Sequence, residues 1–350
     1  MTSVKFYIDI YRRIKSRRLK AAAFAFLKVL GMRYLVIRLD TNNMCNLRCR
    51  MCYYSTLTHR EPVFMDMKLF YKIANDLFWR TKLLYLSCLT EPLMNKNFSS
   101  YLDYVGRYKV PFTSFSTNGM LLSEDVVESC VANNISEIIF SVDGSTATTY
   151  EYIRRGASWQ KLMEKLEMIR QIKAKTGSEL PAVRFNFALM DCNIDELPGL
   201  VDIAMAYNVK TIRLRHLLPF EDKQTGLNFQ QEIKYIDKYN RLVDDTERKC
   251  LKTGVELIRP PKIEKSVEQD ISEKPRENLL CVLPWFHFHI KWMGDIRTCS
   301  GSPTLGNMGD SSFDEIYNST AMRCIRRDML KRSPSSCIWN CRVCVDDPSN

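Results

Sequence analysis

Apolar runs that read as strands recur at residues 34–39, 82–87, 111–116, 137–142, 182–190 and 210–217, and stretches of helical period such as 67–79 and 159–175 separate them. Regular alternation at this spacing predicts βαβ units and a parallel sheet. Six such units in about 185 residues are too few to close an eight-stranded barrel, which leaves an open partial barrel or a doubly wound sheet.

Parity within the strands separates these two. Arg38 and Asp40, Ser141 and Asp143, Arg184 and Asn186, and Arg213 and Arg215 are each two apart, and their alternates are Leu39, Val142, Phe185 and Leu214. A sheet covered by helices on both faces is apolar throughout, so one polar face predicts a lumen that holds water or ligand. The expected fold is therefore α/β, a partial (β/α)6 TIM-like barrel over residues 34–220.

The flanking segments differ in pattern. In residues 1–33, Val4, Tyr7, Ile8, Tyr11 and Ile14 recur at helical spacing among basic residues, the mark of a basic amphipathic helix. Such a helix either packs on the barrel or lies on an anionic membrane surface. Residues 221–280 read as a connector, helical through Lys252 and then charged after Pro260 and Pro261. Residues 281–350 are dense in cysteine, with a hairpin signal at Met293-Gly294-Asp295 and an expected helix over 312–331. Their core is too thin to stand alone, so they form a small auxiliary domain.

The 350 residues, 45% hydrophobic and 26% charged, are of ordinary globular composition and long enough to build a core without staples. The apolar stretch from Ala21 to Leu27 stops at Lys28, far short of the roughly 20 residues a membrane span needs. It is also minimal for a signal peptide, and no clear cleavage site follows. Net charge is 51 − 40 = +11, but residues 1–38 hold ten basic side chains against Asp9, so +9 sits there and the body is nearly neutral. No nucleic-acid partner is expected. Thirteen cysteines, an odd count, fit cluster or metal ligation in a reducing cytoplasm better than a disulfide framework. The expected location is cytoplasmic, peripheral to the membrane if the first helix binds lipid.

Cys45, Cys49 and Cys52 form C-x3-C-x2-C directly after the first strand. Three thiolates can ligate three corners of a cubane iron–sulfur cluster and leave one iron open to a ligand. Structural zinc is the alternative; it takes four ligands, and the nearest further candidate is His59.

The stretch Thr41-Asn42-Asn43-Met44-Cys45-Asn46-Leu47-Arg48-Cys49-Arg50-Met51-Cys52 resembles the signature loop of the radical S-adenosylmethionine (radical SAM) superfamily. The resemblance implies that the open iron chelates S-adenosylmethionine, whose reductive cleavage to a 5′-deoxyadenosyl radical starts hydrogen abstraction from substrate. It extends along the chain. Glu91-Pro92 resembles the family's G-G-E-P segment, with Leu89-Thr90 replacing the glycines, and implies that Glu91 holds the ligand's amino group. Ser116 and Asn118, in Ser116-Thr117-Asn118-Gly119, and Ser141 and Asp143, in Ser141-Val142-Asp143-Gly144, resemble the ribose- and methionine-lining strand ends. Arg154, in Tyr150-Glu151-Tyr152-Ile153-Arg154-Arg155-Gly156, would pair with the ligand carboxylate, and Asn193 matches an asparagine common after the fifth strand.

The C-terminal cysteines resemble the SPASM or shorter twitch domain of the same superfamily. Cys281, Pro284-Trp285, Gly294, Cys299, Leu305-Gly306-Asn307, Phe313 to Asn318, Cys341 and Cys344 follow its order. This implies a second [4Fe–4S] cluster on Cys281, Cys299, Cys341 and Cys344, with Cys337 a possible substitute, while a four-cysteine zinc site remains the alternative.

Cys88 and Cys192, near the ligand-facing strand ends, are candidate hydrogen donors to a substrate radical, though burial as small apolar residues is the commoner fate. His287 and His289 share a strand face and read as surface or cluster-neighbouring residues. Arg184, Arg213 and Arg215 fall on the lumen face, where guanidinium groups must meet acids or an anionic ligand. The expected function is oxidation or epimerisation of a small, anionic sugar or glycoconjugate, with a flavodoxin or ferredoxin as electron donor. A ribosomal-peptide maturase and a non-catalytic iron–sulfur or zinc protein are the alternatives. The 33 residues before Tyr34 are short for a peptide-recognition domain, which favours the small molecule.

Overall fold

A computed structural model of the chain describes residues 14, 16–56, 61–87, 89–217, 233–260, 262, 282–299 and 302–330. Six parallel strands appear where the alternating pattern places them: β1 (Leu35–Leu39), β2 (Thr81–Leu86), β3 (Phe112–Thr117), β4 (Glu137–Ser141), β5 (Ala182–Leu189) and β6 (Thr211–His216). They lie side by side in chain order, each joined to the next through a helix.

The sheet is wider than expected. β7 (Glu256–Ile258) pairs parallel with β6, and β8 (His287–Ile290) pairs parallel with the other side of β1. A short hairpin, β9 (Asp295–Arg297) and β10 (Gly306–Asn307), completes the order β10-β9-β8-β1-β2-β3-β4-β5-β6-β7. β7 falls inside the stretch read as a connector, and its three residues are too few to show alternation. The C-terminal region thus continues the barrel sheet through β8.

Register shows what each face carries. Arg38 lies opposite Tyr85 and His289, Ser114 opposite Glu137, Ser141 opposite Asn186, and Asn186 opposite Arg213, so one face is polar from β8 to β6. The alternates Ile37, Leu39, Phe115, Phe140, Val142, Phe185, Phe187, Ile212, Leu214 and Phe288 are buried beneath the helices. Burial of that apolar face drives the fold, and the polar face is left to line the lumen. Arg38 Nε, Ser114 Oγ and Asn186 Oδ1 there are buried and have no hydrogen-bond partner among the described residues.

The helix expected over 312–331 is two helices. Phe313–Tyr317 starts on a Ser312/Glu315 capping box, and Thr320–Met329 starts on Ser319. Phe313 packs edge-on against Phe288, and Arg80 pairs with Asp314 at 2.9 Å, which fastens this region to the barrel. At the other end of the chain, the apolar stretch from Ala21 to Leu27 lies within the helix Arg17–Val29. The stripe at Val4, Tyr7, Ile8 and Tyr11 lies outside the described residues.

Candidate active site

Ligands in parallel α/β barrels bind at the C-terminal ends of the strands, and the chain places Cys45, Cys49 and Cys52 there, in the loop after β1. The backbone fixes this loop from two sides. Arg48 N donates to Arg155 O (3.0 Å), Arg50 N to Ile153 O (2.8 Å) and Arg50 Nε to Tyr152 O (2.8 Å), so the loop sits on the end of the helix Ala147–Ile153. Glu91 N donates to Met44 O (3.0 Å) and Asn42 Nδ2 to Glu91 O (2.9 Å), which ties the loop to the end of β2. Gly156, at φ +92, makes the turn beneath it; a Cβ there would press on Leu47 at 3.4 Å.

Two side chains aim N–H groups at the thiols. Arg154 Nη1 is 3.9 Å from Cys49 Sγ, and Asn118 Nδ2 is 3.9 Å from Cys45 Sγ. Burial pushes the Cys49 thiol up to about 12, against the pull of Arg154, and raises Cys45 as well. A thiolate at either position therefore calls for a further cationic partner, which a metal centre supplies. Cys49 is close enough to Cys45 and Cys52 for their charges to act on it. Yet among the described residues no three Cys, His or acidic side chains converge tightly enough to hold a single ion.

Glu91 is buried, and its carboxylate accepts from Thr117 Oγ1 (2.7 Å), Asn118 N (2.8 Å) and Leu93 N (3.3 Å). Of about four acceptor positions on a carboxylate, one is left for a ligand. Burial raises its pKa to about 7 despite those donors. Of the two residues that replace glycine before it, Thr90 donates through Oγ1 to Asn42 O (2.9 Å), and its own carbonyl accepts from the Oγ of Ser87, which takes the left-handed conformation at φ 69 (2.9 Å).

Asp143 and Arg154 form a buried ion pair at 2.6 Å, and Asp143 Oδ1 also accepts from Ala188 N (2.7 Å). Burial works against the Arg154 charge, but Asp143 and Cys49 outweigh it and the pKa is raised. Arg154 Nε has no hydrogen-bond partner among the described residues, and such an orphaned donor beside Cys49 suits an anionic ligand. Asn193 is fully engaged with backbone, accepting from Met190 N and donating to Asp143 O and Ala188 O, so it shapes the β5 end from behind. Ser116 and Ser141 are half-buried on the lumen face.

Arg184 meets Glu137 at 3.2 Å, both buried, toward the strand ends opposite the cysteine loop. Glu137 shares the parity of Ser141 and Asp143, a lumen acid that the strand pattern does not single out; it pairs with Arg184 and lies close enough to Arg213 for that charge to act on it as well. Arg213 and Arg215 are half-buried, and Arg215 lies in register with Ala188.

The histidines of β8 are buried rather than at the surface. His289 Nε2 is 2.6 Å from Asp40 Oδ2, and Leu89 N donates to Asp40 Oδ1 (3.2 Å). His287 Nδ1 is 2.6 Å from Thr298 O, and burial lowers its pKa to about 3. Glu196, also missed, accepts from Ser145 N, Thr146 N and the hydroxyls of Thr146 and Thr149, holding the start of the helix whose end carries Arg154.

Cys192 is exposed, yet partial desolvation keeps its thiol above the ordinary value, in the S–H form. Cys299 is half-buried beyond β9, where Ser302 Oγ accepts from its backbone N–H (3.3 Å). Cys88, Cys281, Cys337, Cys341 and Cys344 lie outside the described residues.

Comparison with known proteins agrees with this geometry. The Radical SAM superfamily model matches residues 40–185, and the SPASM iron–sulfur cluster-binding domain matches residues 281–344. The chain is 23% identical over 326 residues to the tungsten-containing aldehyde ferredoxin oxidoreductase cofactor-modifying protein of Pyrococcus furiosus, covering 87% of each. It is 25% identical over 214 residues to GTP 3′,8-cyclase of Syntrophomonas wolfei, covering 58% of this chain and 62% of that one. Its fold matches Streptococcus suis SuiB bound to S-adenosylmethionine with a TM-score of 0.65 at 14% identity, over 87% of this chain and 71% of SuiB.

Proposed function

The chain belongs to the radical SAM superfamily and carries a C-terminal SPASM domain, and on that premise we propose that it abstracts hydrogen from a small anionic substrate held in the barrel lumen. The cofactors of these two domains are S-adenosylmethionine and [4Fe–4S] clusters. When bound, they supply the electron and the 5′-deoxyadenosyl radical that start the reaction.

The chain's own residues then have distinct tasks. Cys45, Cys49 and Cys52 hold the first cluster, and Cys281, Cys299, Cys341 and Cys344, or Cys337 in place of one, hold the second. Glu91 turns its remaining acceptor position to the ligand's amino group, and Arg154 turns Nε to the carboxylate. Ser116, Asn118 and Ser141 line the ribose side, while Asn193 acts through the backbone that Asp143 also grips. Cys192 keeps its proton and so can return a hydrogen atom; Cys88 is the other candidate. A flavodoxin or ferredoxin delivers the electron.

The observation that carries the substrate reading is that Arg213 and Arg215 lie half-buried, two apart, on a polar lumen face. Guanidinium groups in that setting favour bidentate binding of phosphate or carboxylate. Resemblance to enzymes named as GTP cyclases supports an anionic, nucleotide-like or phosphorylated substrate, with sugar or glycoconjugate oxidation or epimerisation the reaction we favour. A peptide is the second reading, supported by the shared fold of SuiB bound to its precursor peptide SuiA, TM-score 0.63.

Incubating the reduced holoenzyme with deuterated sugar nucleotides and with deuterated peptides tests both. Deuterium carried into 5′-deoxyadenosine from a sugar nucleotide supports the proposal, and transfer from the peptides alone overturns it.

A further inference from the structure

The helix Arg17–Val29 turns its hydrophobic side the wrong way for a helix that only supports a barrel. Its inner contacts are few and partly polar: Ala21 is buried, Phe24 stacks on Phe286 with ring centroids 4.1 Å apart, and Lys28 reaches Asp314 (3.7 Å) and the Tyr317 ring (4.0 Å). On the opposite side Leu19, Phe26, Val29 and Leu30 are 63%, 62%, 83% and 54% exposed. At 100° per residue these four fall within about one third of the helix circumference, with the small Ala22 between them. Met32, just past the helix end, is also exposed, where Arg33 donates to Phe78 O and Thr81 O. An apolar stripe this exposed marks an interaction site.

We propose that this face seats the protein on an anionic lipid surface. The charge next to it in the sequence selects that occupant: residues 1–20 carry seven basic side chains and one acid, +6 of the chain's +11. Arg18 borders the apolar stripe, as basic residues do on a helix lying in a membrane interface. Among the described residues no helix is long and apolar enough to cross a membrane. The site chemistry has no part in this inference, because the helix contributes no residue to the cysteine loop or the lumen.

The test is co-sedimentation of the full-length holoenzyme with vesicles of phosphatidylglycerol and phosphatidylcholine, and with phosphatidylcholine alone. Binding to the anionic vesicles should be at least tenfold stronger at low salt and should fall when salt screens the charge. The variant Leu19→Ser/Phe26→Ser/Val29→Ser should lose most of that binding while still producing 5′-deoxyadenosine, which shows it is folded. A wild-type protein that ignores anionic vesicles at low salt overturns the proposal. So does a wild-type dimer that the variant converts to monomer, since the face would then belong to a second copy, and so does a variant that binds vesicles undiminished.

Discussion

Arg154 Nη2 lies 2.6 Å from Asp143 Oδ2, and this buried contact joins the end of the helix Ala147–Ile153 to the loop after β4 beside Cys49. Removing one partner leaves the other charge buried, at a cost of about 3 kcal/mol. Arg154→Gln should therefore lower stability to denaturant by roughly that amount, and Asp143→Asn added to it should recover much of the loss. Denaturant titration of the four proteins in this cycle measures both effects.

Glu91 gives the site a pH dependence. Its pKa is raised from 4.5 to about 7, so between those values the folded chain binds more protons than the unfolded one. Its contribution to stability is present below the lower value and is lost as pH rises through the upper. Ligand affinity runs the other way, because the ionised carboxylate is the better acceptor for the ligand's amino N–H. Binding of S-adenosylmethionine should be roughly fivefold or more weaker at about pH 6 than at about pH 7.5. Calorimetric titrations across that range should show the slope in the wild type and its loss in Glu91→Gln.

Arg184 and Arg215 should separate cleanly. Arg184→Gln breaks the pair with Glu137, whose own pKa burial already raises, and should cost stability with little change in KM. Arg215→Gln should raise the substrate KM about tenfold or more, as loss of a charged hydrogen bond does, with substrate-free cleavage of S-adenosylmethionine near normal. If both activities of Arg215→Gln fall together, that arginine is structural.

The six barrel strands and their polar face were legible because alternation over five or more residues per strand is a local signal. The pairing of β8 with β1 was not. Nothing local in His287-Phe288-His289-Ile290 says that it will add to a strand some 250 residues earlier, so His289 could not be read as a partner of Asp40. Glu137 escaped because it opens its strand, where parity has only one side to test. The cysteine loop was recognisable from spacing alone, whereas the donors that hold it, such as Arg50 and Asn118, act through contacts more than 70 residues apart in sequence.

His289→Ala probes that long-range pairing. It removes a buried contact 2.6 Å long, with an expected cost of about 2 kcal/mol. Hydrogen exchange should quicken in β8 and at its neighbour β1, leaving β4 to β6 unchanged.

Metal content and 5′-deoxyadenosine formation, measured on one pair of proteins, test the central claim most directly. After anaerobic reconstitution the wild type should hold about eight irons and eight sulfides, and Cys45→Ala/Cys49→Ala/Cys52→Ala about four of each. With S-adenosylmethionine and dithionite, the wild type should release 5′-deoxyadenosine and the triple variant none. Cleavage that persists in the variant, or zinc in place of iron in the wild type, would contradict the account.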